Sequence, residues 1–478
     1  MALKEDLAGI IGSEYISDDP NVLNGYSQDY SLVQPRLPSL VVHPENTAEV
    51  QEVVKYANHH LIPITPRSSE VSFYGAGIPS QGGIIVDLGR MNKILEISPP
   101  DRKVKIEPGV TWSQLQSELE KAGMMVCSPL LPHPLKSALT SATEREPMLI
   151  PKGEYNDILL TAEVVLASGD LYWTGSAIGK GMKGQIFPEG LIPGSTRLFC
   201  GAQGTLGILT WASLKTEFIP KADKLLFIPL DSAEAIAEPI YQIQRRQLGS
   251  ECLVLNNTNL ATILAEKWPV EYKSLKKSLP PWTLLICLSG LGRLPEGRIQ
   301  YEEAALKDVA TQVGFKVLPT VADIPDLGAR LIKMLRKPWP KDGYWKHNSK
   351  GACQDIFFYT TVDRSSQFTE AIAHAASEEG YPTGDIGVYL QPVERGRACF
   401  CQYNIYYNPD DEEGVDQVRR LFFKASERAM GMGGFFTTPY GTWAEMVYSR
   451  AASYTTTLKV VKEALDPNNI LNPGKLCF

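Results

Sequence analysis

Two neighbouring segments place polar side chains where a strand's period of two would align them. Tyr389 and Gln391 share one face of the segment 387–392, and Gln402, Asn404 and Tyr406 share one face of 401–407. On a strand of a buried sheet such a stripe must be hydrogen-bonded or functional, whereas on a half-exposed sheet it faces solvent. Both readings are open from the residues alone. Cys399 and Cys401 also share a strand face and have the chemistry to meet a metal. With no CxxC and no His/Cys cluster of zinc spacing, they read as two small buried residues. Glycines supply a different chemistry. Gly75, Gly77, Gly82 and Gly83, and further on Gly201, Gly204 and Gly207, mark turns where backbone comes close to something or takes a positive φ. The N–H groups of such turns hold a phosphate without charged side chains. No GxGxxG follows a strand in a βαβ setting, and no GxxxxGK[ST], GxSxG or HExxH occurs, which argues against Rossmann and P-loop nucleotide binding.

The elements that must position these residues are legible in outline. Asn46 with Glu49 makes a capping-box-like helix start, and Val50, Val53, Val54 and Ala57 follow on one face. A short buried strand, LIPIT, comes next, then strand-like runs on either side of Arg90-Met91-Asn92, then the alternating KVKIEPGV. Ser113 with Gln116 reads as a further helix cap, and LLTAEVVLASGDLYWTG reads as a hairpin turning at Ser168-Gly169-Asp170. After Pro220 strands and helices alternate from 224 to 320, ending in a strand FKVLP. Amphipathic helices are expected over 365–378 and 411–430, with two strands between them around the turn Glu394-Arg395-Gly396. The stretches 130–155 and 176–196 have no clear period, and loops of that length inside a compact domain are usually functional.

The chain's 478 residues suit two or three domains, and its 44% apolar and 21% charged residues are those of a globular protein. Its net charge of −7, with no basic block, disfavours nucleic acid and anionic lipid as partners. The opening MALKEDLAGIIG has no apolar signal core, and no run is long enough for a membrane helix. The expectation is a soluble, cytoplasmic protein of a reducing compartment.

The order of the segments carries a resemblance. HPENTAEVQEVVKYA, IPITPR, GAGIPSQGGIIVDLGRMNKILEI, VKIEPGVTWSQLQSELEKAG, LLTAEVVLASGDLYWTG, CGAQGTLGILT and LDPNNILNPGKLCF resemble the FAD-linked oxidase superfamily. This is the group of vanillyl-alcohol oxidase, p-cresol methylhydroxylase and the D-lactate and glycolate dehydrogenases. The likeness covers 40–217 and 460–478. It implies an α+β fold, with a two-subdomain FAD-binding domain and an antiparallel-sheet cap flanked by helices. The implied domains are 1–217 for FAD binding, 218–430 for the cap or substrate domain, and 431–478 as a C-terminal return to the FAD domain. It also implies an FAD-dependent oxidase or dehydrogenase that takes a hydride from a small alcohol, hydroxy acid or 4-alkylphenol onto flavin N5.

The resemblance carries site residues with it. The family's glycine-rich pyrophosphate loop is here Pro66, Arg67, Ser68, Ser69, Glu70, Val71, Ser72, Phe73, Tyr74 and Gly75, so three glycines are replaced by Ser68, Ser69 and Glu70. Serine hydroxyls and Arg67 still donate to phosphate, but an ionised Glu70 only accepts. The second flavin loop runs from Pro132 and His133 through Lys136 to Glu146, with hydroxyls at Ser137, Thr140 and Ser141. Gly201, Ala202, Gly204, Thr205, Gly207 and Ile208 resemble the segment that lies along the flavin, and Asn472 and Lys475 the tail that returns to its ring. Non-covalent FAD is expected, although His133 is the one histidine in a flavin-facing loop. The metal-binding His-x-x-x-His cap motif of the D-lactate and glycolate dehydrogenases has no counterpart, because His347 and His374 stand alone, and no metal is expected. On the substrate side, Tyr389, Arg395, Tyr440, Tyr448 and Arg450 are the candidates, a tyrosine–arginine group suited to a phenolate. An alternative is a flavin-free family member serving as a structural subunit of a larger redox complex. With no haem CxxCH and no iron–sulfur cysteine pattern, electrons must leave to oxygen or to a partner subunit, and a homo- or hetero-oligomer is expected.

Overall fold

The computed structural model describes residues 2–155, 157–179, 187–188 and 195–478. Part of the aperiodic stretch 176–196 therefore lies outside the described residues. Three larger sheets organise the rest, beside a two-stranded one that pairs Met124–Met125 with Glu217–Phe218. In the first, Leu40–Val42, Ile84–Asp87 and Ile64–Arg67 run parallel, and Ile16–Ser17 adds an antiparallel edge. The parallel pairing requires a crossover, supplied by the helix Thr47–His59. Asn46 caps it, its side chain accepting from the Glu49 N–H, and Val50, Val53, Val54 and Ala57 are its buried face.

The second sheet is antiparallel, in the order Ile94–Ser98, Lys103–Ile106, Ile208–Lys215, Leu159–Val165 and Leu171–Trp173. The runs flanking Arg90-Met91-Asn92 thus belong to two different sheets, and the turn between them joins the subdomains. The helix Trp112–Lys121 begins two residues earlier than Ser113 would cap it: the Thr111 hydroxyl accepts from the Gln114 N–H.

The third sheet has six antiparallel strands, Ala222–Leu230, Trp282–Gly290, Cys252–Asn256, Ile386–Val393, Ala398–Tyr407 and Ala352–Thr360. Helices including Ala237–Arg245, Pro295–Val313, Ser365–Glu378 and Glu412–Gly431 accompany it. The expected strand FKVLP is instead an irregular segment that meets the sheet at one bridge, Phe227 with Leu318. Pro319, next in the chain, has no N–H to extend that pairing.

Register decides what this sheet presents. Tyr389 pairs with Gln402, which pairs with Phe357; Gln391 pairs with Phe400, which pairs with Tyr359. Directly opposed residues share a face, so these six side chains form one surface. Farther along the same face Gly387, Asn404 and Asp355 are in register. The polar stripe is buried, and the solvent-facing reading is overturned. Gln391 accepts from Tyr389 Oη at 3.0 Å and donates to the Cys252 carbonyl at 3.0 Å. Asn404 bonds Asp355 and Asn259, and Asn259 accepts from Tyr406 Oη. Gly387 makes room for this network, since a Cβ there would lie 1.8 Å from Asn259 Oδ1. Cys399 and Cys401 are buried side by side.

The C-terminal tail closes back on the first sheet. Ile64 N–H donates to the Ile470 carbonyl and Asn472 N–H to the Ile64 carbonyl, both at 2.7 Å. A buried ion pair fixes this return: Lys462 Nζ donates to Asp466 at 2.6 Å, to the Thr205 carbonyl at 2.8 Å and to the Leu471 carbonyl at 2.9 Å. Removing one partner leaves an uncompensated buried charge. Lys462→Met is therefore expected to cost about 3–5 kcal/mol, read as a fall in the thermal midpoint.

Candidate active site

Two cavities meet inside this frame. The first, of about 940 Å³, lies among the turns of the first two sheets. Pro66, Arg67, Ser68, Ser69, Val71 and Ser72 form one wall, and Thr140, Gly201, Gly204, Gly207 and Ile208 another. Glu70 does not line it. The Glu70 side chain is exposed, while its carbonyl accepts from Arg67 at 2.9 Å, which leaves the one phosphate-repelling residue of the loop turned away. Ser68 Oγ lies 2.5 Å from Thr140 Oγ1, and Ser69 Oγ accepts from the Ser137 N–H at 3.2 Å, so hydroxyls tie the two loops where the family uses glycine.

Glycine is retained where backbone is close. Gly204 has φ +73°, and a Cβ there would lie 2.4 Å from Pro66 Cγ. Gly77 and Gly201 line the cavity, and a Cβ on either would meet no atom closer than 3.7 Å. This cradle of turn backbone and hydroxyls, with Arg67 in its wall, fits a dinucleotide held largely by backbone N–H groups.

The second cavity, of about 730 Å³, is walled by the sheet face Phe357, Tyr359, Tyr389, Phe400 and Gln402 on one side. Tyr74, His133, Tyr344 and Tyr440 close it on others. Tyr74 stacks on Tyr440 with ring centroids 4.8 Å apart. Tyr440 Oη is buried without a hydrogen bond of ordinary geometry. Burial, with the Glu144 and Glu146 charges, holds its phenol well above the usual range. Lys136, Glu144 and Tyr440 line both cavities.

Lys136 is the charged centre of that shared wall. Its side chain is 3% exposed, and Nζ donates to Glu144 and to Glu146 at 2.6 Å each. The two carboxylates respond differently. Burial pushes Glu144 up, despite Lys136, and the nearby Glu146 charge adds to the rise. Burial acts to raise Glu146 too, but there Lys136 outweighs it and holds the carboxyl below the ordinary range. Lys346 also lines the aromatic cavity and is paired with Asp355. Burial and Lys346 together push His347 down to about 4.

Several expected site residues stand elsewhere. Arg395 is exposed on its turn, its backbone N–H bonded to the Pro151 carbonyl. Arg450 is exposed and donates to the Met446 carbonyl, and Tyr448 stacks on Tyr454. None of these three lines either cavity: Arg395 sits at the tip of the turn between two sheet strands, and the helix Thr442–Tyr448, unforeseen in the sequence, carries Tyr448 and Arg450 away after Tyr440. Arg395 and Arg450, the expected arginines of the tyrosine–arginine group, therefore stand outside this site. Pro132, His133 and Tyr74 line the aromatic cavity rather than the flavin cavity.

Other cofactor candidates support the cradle from behind without lining it. Ser137 caps the short helix Ala138–Thr143, and Ser141 accepts from Trp112 Nε1. Thr205 donates to the Ala202 carbonyl, and the Gly75 N–H donates to Asp29. Asn472 donates to the Ala76 and Gln203 carbonyls, and Lys475 to the Gly75 carbonyl. The sequence reading missed Lys136, Glu144 and Glu146 as site residues. Their signal was a cluster of charges, Lys136, Glu144, Arg145 and Glu146, in a loop otherwise mostly apolar and hydroxylic. Nothing local marked Tyr344 or Tyr359.

Comparison with known proteins decides the family. The FAD binding domain model matches residues 38–175, and that of the FAD linked oxidases' C-terminal domain matches residues 219–476. The chain belongs to the FAD-linked oxidases. It is 26% identical to the glycolate oxidase subunit GlcD of Bacillus subtilis, over 99% of this chain and 96% of that one. It is 36% identical to the 4-cresol dehydrogenase flavoprotein subunit of Pseudomonas putida, over 36% of this chain and 34% of that one. Its fold superposes on p-cresol methylhydroxylase with a TM-score of 0.87 at 20% identity, covering 100% of this chain and 96% of the other. This FAD-linked oxidase is thus an FAD-dependent oxidoreductase, and FAD is its cofactor. The turned-out Glu70 removes the argument for a flavin-free subunit. Among the described residues no group of three or more His, Cys, Asp or Glu is placed to hold a metal, and no helix is long and apolar enough to cross a membrane.

Gly204→Ala drives a methyl group into Pro66, and the purified variant is expected to carry less flavin per chain than wild type, measured by the ratio of flavin to protein absorbance. Among the described residues the flavin cavity is lined by no histidine or cysteine. Acid precipitation is accordingly expected to release the flavin into the supernatant.

Proposed function

We propose that this oxidase acts on a small neutral aromatic substrate, a benzylic-type alcohol or 4-alkylphenol, rather than on a 2-hydroxy acid. The charge balance of the aromatic cavity carries this reading. A hydroxy acid brings a carboxylate, which needs a buried cation free to receive it. Lys136 already serves two carboxylates and Lys346 serves Asp355. Arg145, the remaining cation in the described lining, is an exposed residue. An anion in the interior would meet the surplus negative charge of the Glu144–Glu146 pair. Apolar ring faces from Phe357, Phe400, Tyr74 and Tyr440 suit an aromatic ring instead. The 36% identity to a 4-cresol dehydrogenase flavoprotein subunit, over 36% of this chain, supports the same class.

The same reading divides the chain by role. Residues 1–217 and 431–478 hold FAD, and 218–430 supply the sheet that selects the substrate. FAD, bound at Ser68, Ser69, Thr140 and the glycine turns, supplies the hydride acceptor. The chain's own part is to hold the substrate carbon at the wall between the cavities and to keep water out with aromatic side chains. Electrons then leave to oxygen or to a partner subunit, and the protein works in the cytoplasm as an oligomer.

Anaerobic mixing with a substrate panel tests the reading. 4-Ethylphenol and 4-hydroxybenzyl alcohol are expected to bleach the oxidised flavin band, and glycolate and D-lactate to leave it unchanged. Bleaching by D-lactate but by neither aromatic compound would overturn it.

A further inference from the structure

We propose that Glu144 is the base of the oxidation, accepting the proton of the substrate's hydroxyl at the wall that the two cavities share. This rests on the reading of the site as one for neutral aromatic alcohols, and it names the residue that completes that chemistry. Removing a hydride from a carbon that bears a hydroxyl leaves a proton to be taken up, and the acceptor must stand where the flavin and substrate spaces meet. Among the carboxylates of the described lining, Glu144 alone belongs to both cavities; Glu146 lines the aromatic one only.

Its surroundings suit the role. Lys136 faces Glu144 from the same loop, Glu146 from the next turn, Tyr440 from the C-terminal return and Tyr74 from the pyrophosphate loop. Lys136 Nζ lies 2.6 Å from each carboxylate, and no second cation pairs with either among the described residues. One ammonium offsets one charge. The second carboxylate is left with a surplus that a proton relieves. Burial and the Glu146 charge put that proton affinity on Glu144, while Lys136, with Ser141 and Lys346, keeps Glu146 ionised. In the step, bound FAD would supply the two-electron acceptor for the hydride as the substrate C–H bond breaks. The O–H bond breaks with its proton passing to the Glu144 carboxylate, and the C=O bond forms.

The test compares Glu144→Gln and Glu146→Gln holoenzymes with wild type, each first matched for flavin content and thermal midpoint. Anaerobic bleaching by 4-hydroxybenzyl alcohol is followed across pH, and substrate affinity is read separately from the perturbed flavin spectrum. Loss of a general base costs at least about 100-fold in rate. Glu144→Gln is expected to show that loss with affinity little changed. Wild-type bleaching should rise with pH through a midpoint above the ordinary carboxylate range, because only ionised Glu144 accepts the proton. In Glu146→Gln that limb persists but moves to lower pH, since the like charge that raised Glu144 is gone; in Glu144→Gln it disappears. Wild-type rate and pH profile in Glu144→Gln, or loss of the limb in Glu146→Gln instead, would overturn the assignment.

A second readout needs no turnover. The infrared carboxyl band of a protonated buried glutamic acid should titrate above the ordinary range in wild type, persist in Glu146→Gln and vanish in Glu144→Gln. If no aromatic alcohol bleaches the wild type, the substrate reading fails. This band still decides Glu144, and its loss in Glu146→Gln instead contradicts the proposal.

Discussion

One ammonium group between two carboxylates, on a wall with cavities on both sides, is the constraint around which this active site is built. A buried Lys136 is tolerated because Glu144 and Glu146 pair with it, and the two half-buried carboxylates stand close together because Lys136 lies between them. The arrangement cannot be neutral with all three groups ionised. Its surplus negative charge disfavours an anion in the aromatic cavity, and burial with the neighbouring charge makes Glu144 easier to protonate than Glu146.

The architecture exists to hold that wall in place. The FAD-side sheets bring the Pro66–Ser72 turn and the Gly201–Gly207 turn to one side of it. The six-stranded sheet lays Phe357, Tyr359, Tyr389, Phe400 and Gln402 on the other by register alone. The C-terminal return contributes Tyr440 directly. Through Lys462, Asp466, Asn472 and Lys475 it also pins the backbone of the flavin turns from behind. A chain end that contributes little lining is thus essential to the shape of the cradle.

The order of the flavin segments was legible because each depends on local rules, namely glycine at positive φ, caps at helix starts and short buried strands. Gly204 shows why: φ +73° and the approach of Pro66 leave no alternative residue. Residues whose role depends on distant partners were not legible. Glu70 looked hostile to phosphate until the loop's path turned it to solvent. Arg450 and Tyr448 sat close in sequence to Tyr440, but the helix Thr442–Tyr448 carries them away from the cavity. Lys136 and Glu144 lay in a loop without period, where neither spacing nor propensity marks a buried ion cluster. The same holds for the polar stripe on the cap strands, whose burial was decided by the packing of Asn259 and Asp355 against it.

The proposed chemistry requires the substrate's reacting hydroxyl to meet the flavin at the Lys136–Glu144–Tyr440 wall. A crystal structure of the FAD-bound protein with 4-hydroxybenzyl alcohol tests it most directly. The account predicts the isoalloxazine in the cavity lined by Gly77, Gly201 and Gly204. It predicts the ligand ring among Tyr74, Phe357 and Tyr440, and the benzylic hydroxyl within hydrogen-bond distance of Glu144. A flavin ring lodged in the aromatic cavity, or a ligand hydroxyl directed to Arg145 and away from Glu144, would contradict it.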